Sequence, residues 1–391
     1  MVHKKIALIH PQFKEGGGAE APALWMVEAL KKDHDVTLIS MGHINLDRLN
    51  ECYGTHLNRA ELRTVEIPIP KLLKNRFDAL RSFRLARISK QRASEFDLMI
   101  SSYNVMDFGR KGIQYISDFS FDDRLRRALD TKPRGFQAVL YRKSPFRWLY
   151  LKLGKILAGA SKNGWKHNLT IANSDWSGKV LREVYGIEAR TIYPPVVGKF
   201  PRIPWENKEC GFVCIGRLVP EKGIDRIIDI LKKVRERGRD IHLHFLGRSD
   251  DSDYAKKIRR LCEENSDWAF MEGTLFSEKK TEFIAQHKYG ISGRENEPFG
   301  IAVAELVKGG SLVWVPASGG QTEIVDHPAL IYKNTEDAAN KIEKVLGSET
   351  LQNELQIHMA KQSEIFSEQT FMKEISHIVY QFWKENASVQ E

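Results

Sequence analysis

The stretch "GRENEPFGIAVAELVKGG", Gly293–Gly310, sets two carboxylates, Glu297 and Glu305, on either side of an apolar run. Pro298 suits the first position of a helix, so a helix is expected from about Phe299. Glu297 would then lie where acids cap a helix and complement its dipole. Glu305, flanked by Ala304, Leu306 and Val307, has no such role. A carboxylate buried without a partner is costly, so Glu305 calls for a hydrogen-bond donor from the protein or from a ligand, and sugar or ribose hydroxyls are suitable donors. A second constellation is "IGRLVPEKGID", where Arg217 and Lys222 stand five apart on a short loop. Arg offers a bidentate fork to a phosphate and Lys a compact point charge, although Glu221 offers either of them an ordinary surface partner. A third is "HPQFKEGGGAE", whose Gly16, Gly17 and Gly18 fall between a strand and a helix. There the backbone N–H groups suit an anion, or the glycines simply make a flexible turn; the spacing is neither a Walker A loop nor GxGxxG.

The elements that must hold these groups alternate strand and helix. "KIALIH", the helical stretch over "GGGAEAPALWMVEALKKD" and "DVTLIS" form a βαβ unit. Strand-like runs follow at "DLMISS", "GIQYIS" and "LTIANS", and Pro194 and Pro195 exclude a helix or central strand after "ARTIY". The pattern restarts with "GFVCIGRL", "IHLHFLG", "WAFMEG", "YGISG" and "LVWVPA", with helices between them. A chain of 391 residues exceeds the size of one ordinary core. The reading is therefore α/β: two facing, Rossmann-like, doubly wound domains, with ligands at the carboxyl ends of the strands and in the cleft between domains. The boundaries fall at 1–196, 197–365 and a terminal segment 366–391.

The net charge of +9 is concentrated in the first half. Residues 71–95 carry eight Lys or Arg against two acids, and residues 124–155 ten against one, with Leu, Phe, Ala and Ile at helical spacing between them and Trp148 and Tyr150 beside Arg147. That pattern fits an amphipathic basic helix on an anionic bilayer, or a solvated helix face; no nucleic-acid motif accompanies it. No window has the roughly 18 apolar residues of a membrane span, and the apolar run near the N-terminus is short for a signal peptide, so a cytoplasmic, membrane-peripheral location at the inner face is expected. Cys52, Cys210, Cys214 and Cys262 form no CxxC pair and lack a His at metal-ligand spacing, so they read as reduced structural thiols.

Taken with their order and spacing, these segments resemble the retaining GT-B glycosyltransferases of family 4, the glycosyl transferases of group 1. The resemblance rests on Glu297 and Glu305 with seven residues between them, on "GRLVPEKG", "MEGTLFSEKKTEFIAQ", "SGGQTEIV" and "IANSDWSGKVLREVYGIEARTIYPPV", and on the terminal "FSEQTFMKEISHIVYQFW", similar to the helix that crosses back to the first domain. It implies a GT-B fold with an acceptor-binding first domain and a nucleotide-sugar-binding second domain. It further implies that Arg217 and Lys222 bind the donor diphosphate and stabilise the leaving nucleotide without a metal. By the same resemblance Glu305 meets the ribose and Glu297 the transferred sugar, while the backbone N–H groups of Phe299, Gly300 and Ile301 face sugar or phosphate oxygens. Leu275 would contact the nucleobase through its backbone, and Gly17 and Gly18 would lie against the diphosphate. Where many members carry His, "QYISDFS" has Ser117 and Asp118, which makes Asp118 the candidate polar group near the anomeric carbon: base, orienter or turn residue. A two-carboxylate glycosidase mechanism is not implied, because the second carboxylate serves the ribose.

The resemblance thus points to an enzyme that moves a hexose from a UDP- or GDP-sugar to a hydroxyl of a glycan or lipid-linked glycan, in polysaccharide or glycoconjugate assembly. No cofactor or metal is expected, and no nucleic acid. Two other readings stand beside it. A GT-B epimerase or phosphorylase shares the fold, and a pyridoxal absorbance would mark the latter. A noncatalytic basic membrane or nucleic-acid adaptor would bind liposomes or RNA without affinity for nucleotide sugars. The nucleobase, the hexose, the acceptor and the oligomeric state are not written in these motifs.

Overall fold

In the computed structural model, the described residues are 3–13, 18–70, 78–129, 145–161 and 163–387. They form two units. The first comprises the described residues up to Arg126, those from 145 to Pro195, and those from Glu368 onward; the second comprises Arg127 to Leu129 and Val196–Ser367.

The first unit is built on a parallel sheet in the order β3-β2-β1-β4-β5-β6-β7. Its strands are β1 (Lys5–His10), β2 (Asp35–Met41), β3 (Arg63–Ile67), β4 (Leu98–Ser101), β5 (Ile113–Ile116), β6 (Leu169–Ala172) and β7 (Ala189–Thr191). Central strands of a sheet covered on both faces read as continuous apolar runs, and Ile6, Ala7, Leu8 and Ile9 of β1 are wholly buried. Pro194 and Pro195 follow the edge strand β7, where a missing N–H costs no ladder bond. The helix Glu368–Ala387 packs on the helix Glu20–Leu30, with Ser376 donating to the Ala29 carbonyl at 3.2 Å, and it buries Phe371, Ile375, Ile378, Val379 and Phe382, Phe371 standing edge-on to Tyr115 of β5.

The basic stretches are helical where described. Helix Asp78–Gln91 receives helix Pro145–Leu157, with the Phe83 ring against Gly154 and the Leu80 N–H donating to Tyr150 Oη at 3.2 Å. A Cβ at position 154 would stand only 2.3 Å from that ring, so the glycine permits the close crossing. The rest of the basic stretches, 71–77 and 130–144, lies outside the described residues. Among the described residues no helix is long and apolar enough to cross a membrane.

The second unit carries a parallel sheet in the order β10-β9-β8-β11-β12-β13. Its strands are β8 (Glu209–Ile215), β9 (His242–Leu246), β10 (Ala269–Gly273), β11 (His287–Ile291), β12 (Leu312–Pro316) and β13 (Ile331–Tyr332). Phe212, Trp314 and Tyr289 interlock at its centre with ring centroids 5.0 to 5.9 Å apart. The chain passes from β8 outward to β9 and β10, then returns to the opposite side of β8 for β11. The gap between the loops that leave β8 and β11 is therefore the topological switch point, where doubly wound sheets bind ligands. Strands β3 and β13 are not apparent in the sequence: "RTVEI" mixes charge with β-branched residues, and "IY" is only two residues long. All four cysteines are free, with Cys214 and Cys262 buried.

Candidate functional site

Lys222 comes from the loop after β8 and Glu297 from the loop after β11, and both reach the switch point. The Lys222 Nζ donates to Glu297 Oε2 at 3.0 Å, and an Arg294 guanidinium nitrogen lies 3.2 Å from the same oxygen. Burial opposes ionisation of Glu297, yet the charges of Lys222 and Arg294 outweigh it and hold the carboxyl below its ordinary range. Lys222 thus pairs across the site rather than with its neighbour Glu221.

Glycine makes this approach possible. Lys222 ends a short 3-10 turn, Pro220–Lys222, closed by Gly223 in the left-handed region, φ 59°. Gly223 and Gly293 bring the two loops together backbone to backbone: a Cβ on either would come within 2.6 Å of the other's carbonyl oxygen. The Lys222 stem in turn runs over Gly216, where a Cβ would meet its Cε at 3.0 Å. Arg217, on the same loop, is exposed and has no ion-pair partner among the described residues. Lys222 and Arg294 both lie against the Glu297 carboxylate, and Arg217 adds an exposed cation on the loop that carries Lys222, so the loop after β8 presents positive charge suited to a phosphate.

The helix after Glu297 starts later than its sequence suggests. It spans Ile301–Lys308, with Gly300 at φ 111° before it, so Pro298 is not its first residue and Glu297 is not its cap. Instead Glu297 is fixed by backbone: Gly320 N–H donates to its carbonyl at 2.8 Å, and Glu297 and Gly319 form an isolated parallel bridge. Phe299 and Gly300 are buried and Ile301 is half-buried at the helix start. The first N–H groups of that helix have no partner within it and point along its positive end. Buried Gln321 ties the surrounding loops, accepting from Ser292 Oγ at 2.9 Å and donating to the carbonyls of Arg294 and Ser318.

Glu305 has a partner that its sequence neighbourhood does not announce. Lys280 Nζ lies 2.7 Å from both of its oxygens, and the two side chains are 25% and 13% exposed. Lys280 stands on helix Ser277–Ala285, which follows the loop containing half-buried Leu275, so this pair brings the Leu275 loop to Glu305.

In the first unit, Asp118 follows β5. Its Oδ2 accepts from Tyr103 Oη at 2.6 Å, and its Oδ1 accepts from Asn104 Nδ2 at 2.7 Å and from the Ser120 N–H at 2.9 Å. Asn104 adopts φ 64° to make this contact. The Tyr103 hydroxyl is held protonated, its pKa raised by burial and then by the Asp118 charge. His10, at the end of β1, was not singled out by sequence. It is buried, stacks on Phe13 at 4.4 Å and shares a 3.0 Å hydrogen bond with Ser102 Oγ. Burial lowers its pKa to about 3, so the ring is neutral. The "HPQF" segment is the signal that could have drawn attention to it. Of the glycine loop, Gly18 is exposed just before the helix Glu20–Leu30, and Gly17 lies outside the described residues.

Residues 199–363 match the family model "Glycosyl transferases group 1". Among curated proteins, the chain is 27% identical over 230 residues to the human GDP-Man:Man(3)GlcNAc(2)-PP-Dol alpha-1,2-mannosyltransferase, covering 52% of this chain and 46% of that protein. It is 24% identical over 268 residues to the Dictyostelium discoideum protein of the same name, covering 61% and 52%. The chain thus matches about half the length of these relatives. Among solved structures, Anabaena HepE in complex with UDP and glucose superposes with a TM-score of 0.66 at 16% identity, covering 97% of this chain and 100% of that one. WaaG, a glycosyltransferase involved in lipopolysaccharide biosynthesis, gives a TM-score of 0.67 at 15% identity, covering 95% and 99%. The fold is GT-B, and residues 199–363 are similar to the glycosyl transferases of group 1.

Proposed function

We propose that this chain is a retaining glycosyltransferase that binds a nucleotide-diphosphate hexose at the switch point of its second unit and transfers the hexose to a hydroxyl of a lipid-linked glycan. The observation that carries the reading is the meeting of Lys222 and Glu297 at that switch point, with Arg217 exposed on the same loop and the helix Ile301–Lys308 starting beside them.

In this reading the diphosphate lies on the loop after β8. Arg217 supplies the guanidinium fork. Lys222 has three N–H donors, so it can keep Glu297 and still reach a phosphate oxygen. The negative charge that grows on the departing nucleotide is met by fixed cations, which is transition-state stabilisation by preorganised charge. Glu297, ionised and anchored by its backbone, accepts from hexose hydroxyls. The N–H groups of Phe299, Gly300 and Ile301 meet hexose or phosphate oxygens. Glu305, with Lys280 beside it, accepts from the ribose hydroxyls, and the Leu275 backbone meets the base. In the first unit, both Asp118 oxygens are already hydrogen-bonded. Asp118 therefore serves as an orienting group, through the Tyr103 hydroxyl, more readily than as a free base.

GDP-mannose is the first donor to try, because the curated relatives are named for it; UDP-glucose is the second, because it is bound in HepE. The lipid-linked acceptor draws support from those relatives' names and from helix Pro145–Leu157. That helix exposes Trp148, Leu149, Leu153 and Ile156 along one side, with Lys152 over the Trp148 ring at 4.8 Å. An apolar stripe edged by lysines fits the interface of an anionic membrane.

The test is calorimetric titration of GDP-mannose, UDP-glucose and an ADP-sugar into the wild type and the Arg217→Ala/Lys222→Ala variant, without added metal. One donor binding at micromolar strength and lost in the double variant supports the reading. Donor binding that survives the double substitution removes the diphosphate assignment.

A further inference from the structure

At the opposite, amino-terminal edge of the second sheet, roughly 15 Å along the strands from the switch point, three histidines converge. His242 and His244 project from one face of β9, and His287 opens β11 on the other side of β8. Their ligand-capable nitrogens lie within 4.8 Å of one another. The strand between them carries Gly211, and a Cβ there would stand 2.1 Å from His242 Nε2 and 2.6 Å from the His287 ring. The absence of a side chain at this one position is what lets two imidazoles reach over β8. Glu209, at the start of β8 and exposed, places Oε2 at 3.5 Å from His242 Nε2 and 3.8 Å from His287 Nε2.

The hydrogen bonds choose which nitrogens are available. His287 Nδ1 bonds the Phe283 carbonyl at 2.7 Å, and His244 Nδ1 bonds Glu272 Oε1 at 2.7 Å. Each contact fixes the proton on Nδ1 and leaves Nε2 with its lone pair. A carbonyl or carboxylate behind the far nitrogen is the support that metal-bound histidines ordinarily have. His287 is 98% buried by its side chain, yet its Nε2 has no hydrogen-bond partner, and neither does His242 Nε2. An orphaned nitrogen buried among other donors of lone pairs is costly unless something electron-deficient sits between them.

We propose that Glu209, His242, His244 and His287 form a binding site for one divalent transition-metal ion of the zinc type, a structural clip across β8, β9 and β11. Three imidazoles with one carboxylate are a borderline donor set suited to zinc, and ligand atoms around a tetrahedral zinc stand about 3.3 Å apart. The Glu209 separations of 3.5 and 3.8 Å are already close to that, and the histidine nitrogens, within 4.8 Å of one another, would draw closer around the ion. The site lies away from Lys222 and Glu297 and takes no part in the proposed transfer. Its effect is on the rigidity of the sheet edge.

The experiment is equilibrium dialysis and calorimetry of the full chain with Zn²⁺, together with the visible spectrum of the Co²⁺-loaded protein. The expected result is one ion per chain, a tetrahedral Co²⁺ spectrum, and a thermal midpoint raised by Zn²⁺. The His242→Gln/His244→Gln variant should lose all three. Glu272→Gln, which removes only the support behind His244, should weaken uptake on the order of 10- to 100-fold. Glu209→Gln, a change at an exposed side chain, keeps the test usable if the histidine variant fails to fold, and should also weaken uptake. Failure of the wild type to bind one ion overturns the proposal. So does uptake that is undiminished in the Glu209 and Glu272 variants but abolished by Cys210→Ser, since the ion would then sit on the exposed thiol.

Discussion

Lys222 and Glu297 are 75 residues apart in the chain and 3.0 Å apart in space, at the point where the second sheet reverses its strand order. Neither residue reaches the other by chance of surface packing. Gly216 clears a path for the lysine stem, and the Gly223–Gly293 contact presses the two loops together. With Arg294 against the same carboxylate oxygen, the pair forms a charged floor held by two ionic contacts. Preorganised charge of this kind favours a transition state, because no reorganisation is needed when the leaving group departs.

Replacing Lys222 with Met should weaken binding of the nucleotide-sugar donor by about 10- to 100-fold, the worth of one charge-assisted hydrogen bond, roughly 1.5–3 kcal/mol. Glu297 would keep Arg294 as a partner, so the fold should survive. Calorimetry with the donor and a thermal melt on the same sample separate the two effects. A variant that melts like the wild type and binds the donor equally well would remove Lys222 from the diphosphate site.

The Glu297 carboxyl gives a pH dependence of fixed sign. Burial pushes its pKa up, but the charges of Lys222 and Arg294 win and the net shift is downward from the ordinary value of 4.5. A depressed folded-state pKa contributes stability that is complete above the ordinary value and is lost as pH falls through the lower folded value. Thermal midpoints of the wild type should therefore drop on acidification below pH 4.5, with a shallower drop in Glu297→Gln, which has no proton to take up. Parallel pH profiles for the two proteins would show that the ion pair contributes nothing.

Much of this architecture was legible because it is periodic. Apolar runs such as "KIALIH" and "GFVCIGRL" mark strands buried on both faces, and their alternation with helices implies parallel sheets. What escaped was whatever depends on contacts distant in the chain. Lys280 looks like one charge among several on a polar helix, and only the fold brings it to Glu305. The helix start at Ile301 differs from the expected one because Pro298 favours a helix start, while Gly300, at φ 111° with Gln321 and Ile324 beside it, delays it. The histidine cluster is hidden in the sequence because its members come from two strands on either side of β8 and converge only through register and a glycine.

Gly300→Ala tests that delayed start directly. The residue sits at φ 111°, and an added Cβ would lie 3.1 Å from Gln321 Cβ and 3.6 Å from Glu297 Cγ. Strain in a left-handed position costs roughly 1–3 kcal/mol. The variant should lose stability of that size in urea unfolding. Because the strain is placed against Glu297 and the helix N-terminus, it should also reduce kcat/KM for transfer by more than the loss of folded protein explains. Full activity in a variant with lowered stability would confine Gly300 to a structural role.

The exposed face of helix Pro145–Leu157 makes the membrane reading testable apart from catalysis. Trp148 and Ile156 are 62% and 64% exposed, so changing both to Glu removes no core packing and should leave the thermal midpoint in place. Inserting such side chains into a bilayer interface is worth up to about 1.5–3 kcal/mol each. The double variant should therefore show at least a tenfold weaker partition onto vesicles of phosphatidylcholine with phosphatidylserine. Binding of the wild type should also fall as salt is raised, because the basic residues beside the stripe act through screened Coulomb attraction. Transfer to a short, water-soluble acceptor analogue should be unchanged, since the substitutions lie on the outer side of the helix. Wild-type protein that ignores such vesicles, or a variant that binds them equally well, would return this helix to the status of an ordinary solvated face and leave the lipid-linked acceptor without support from the first unit.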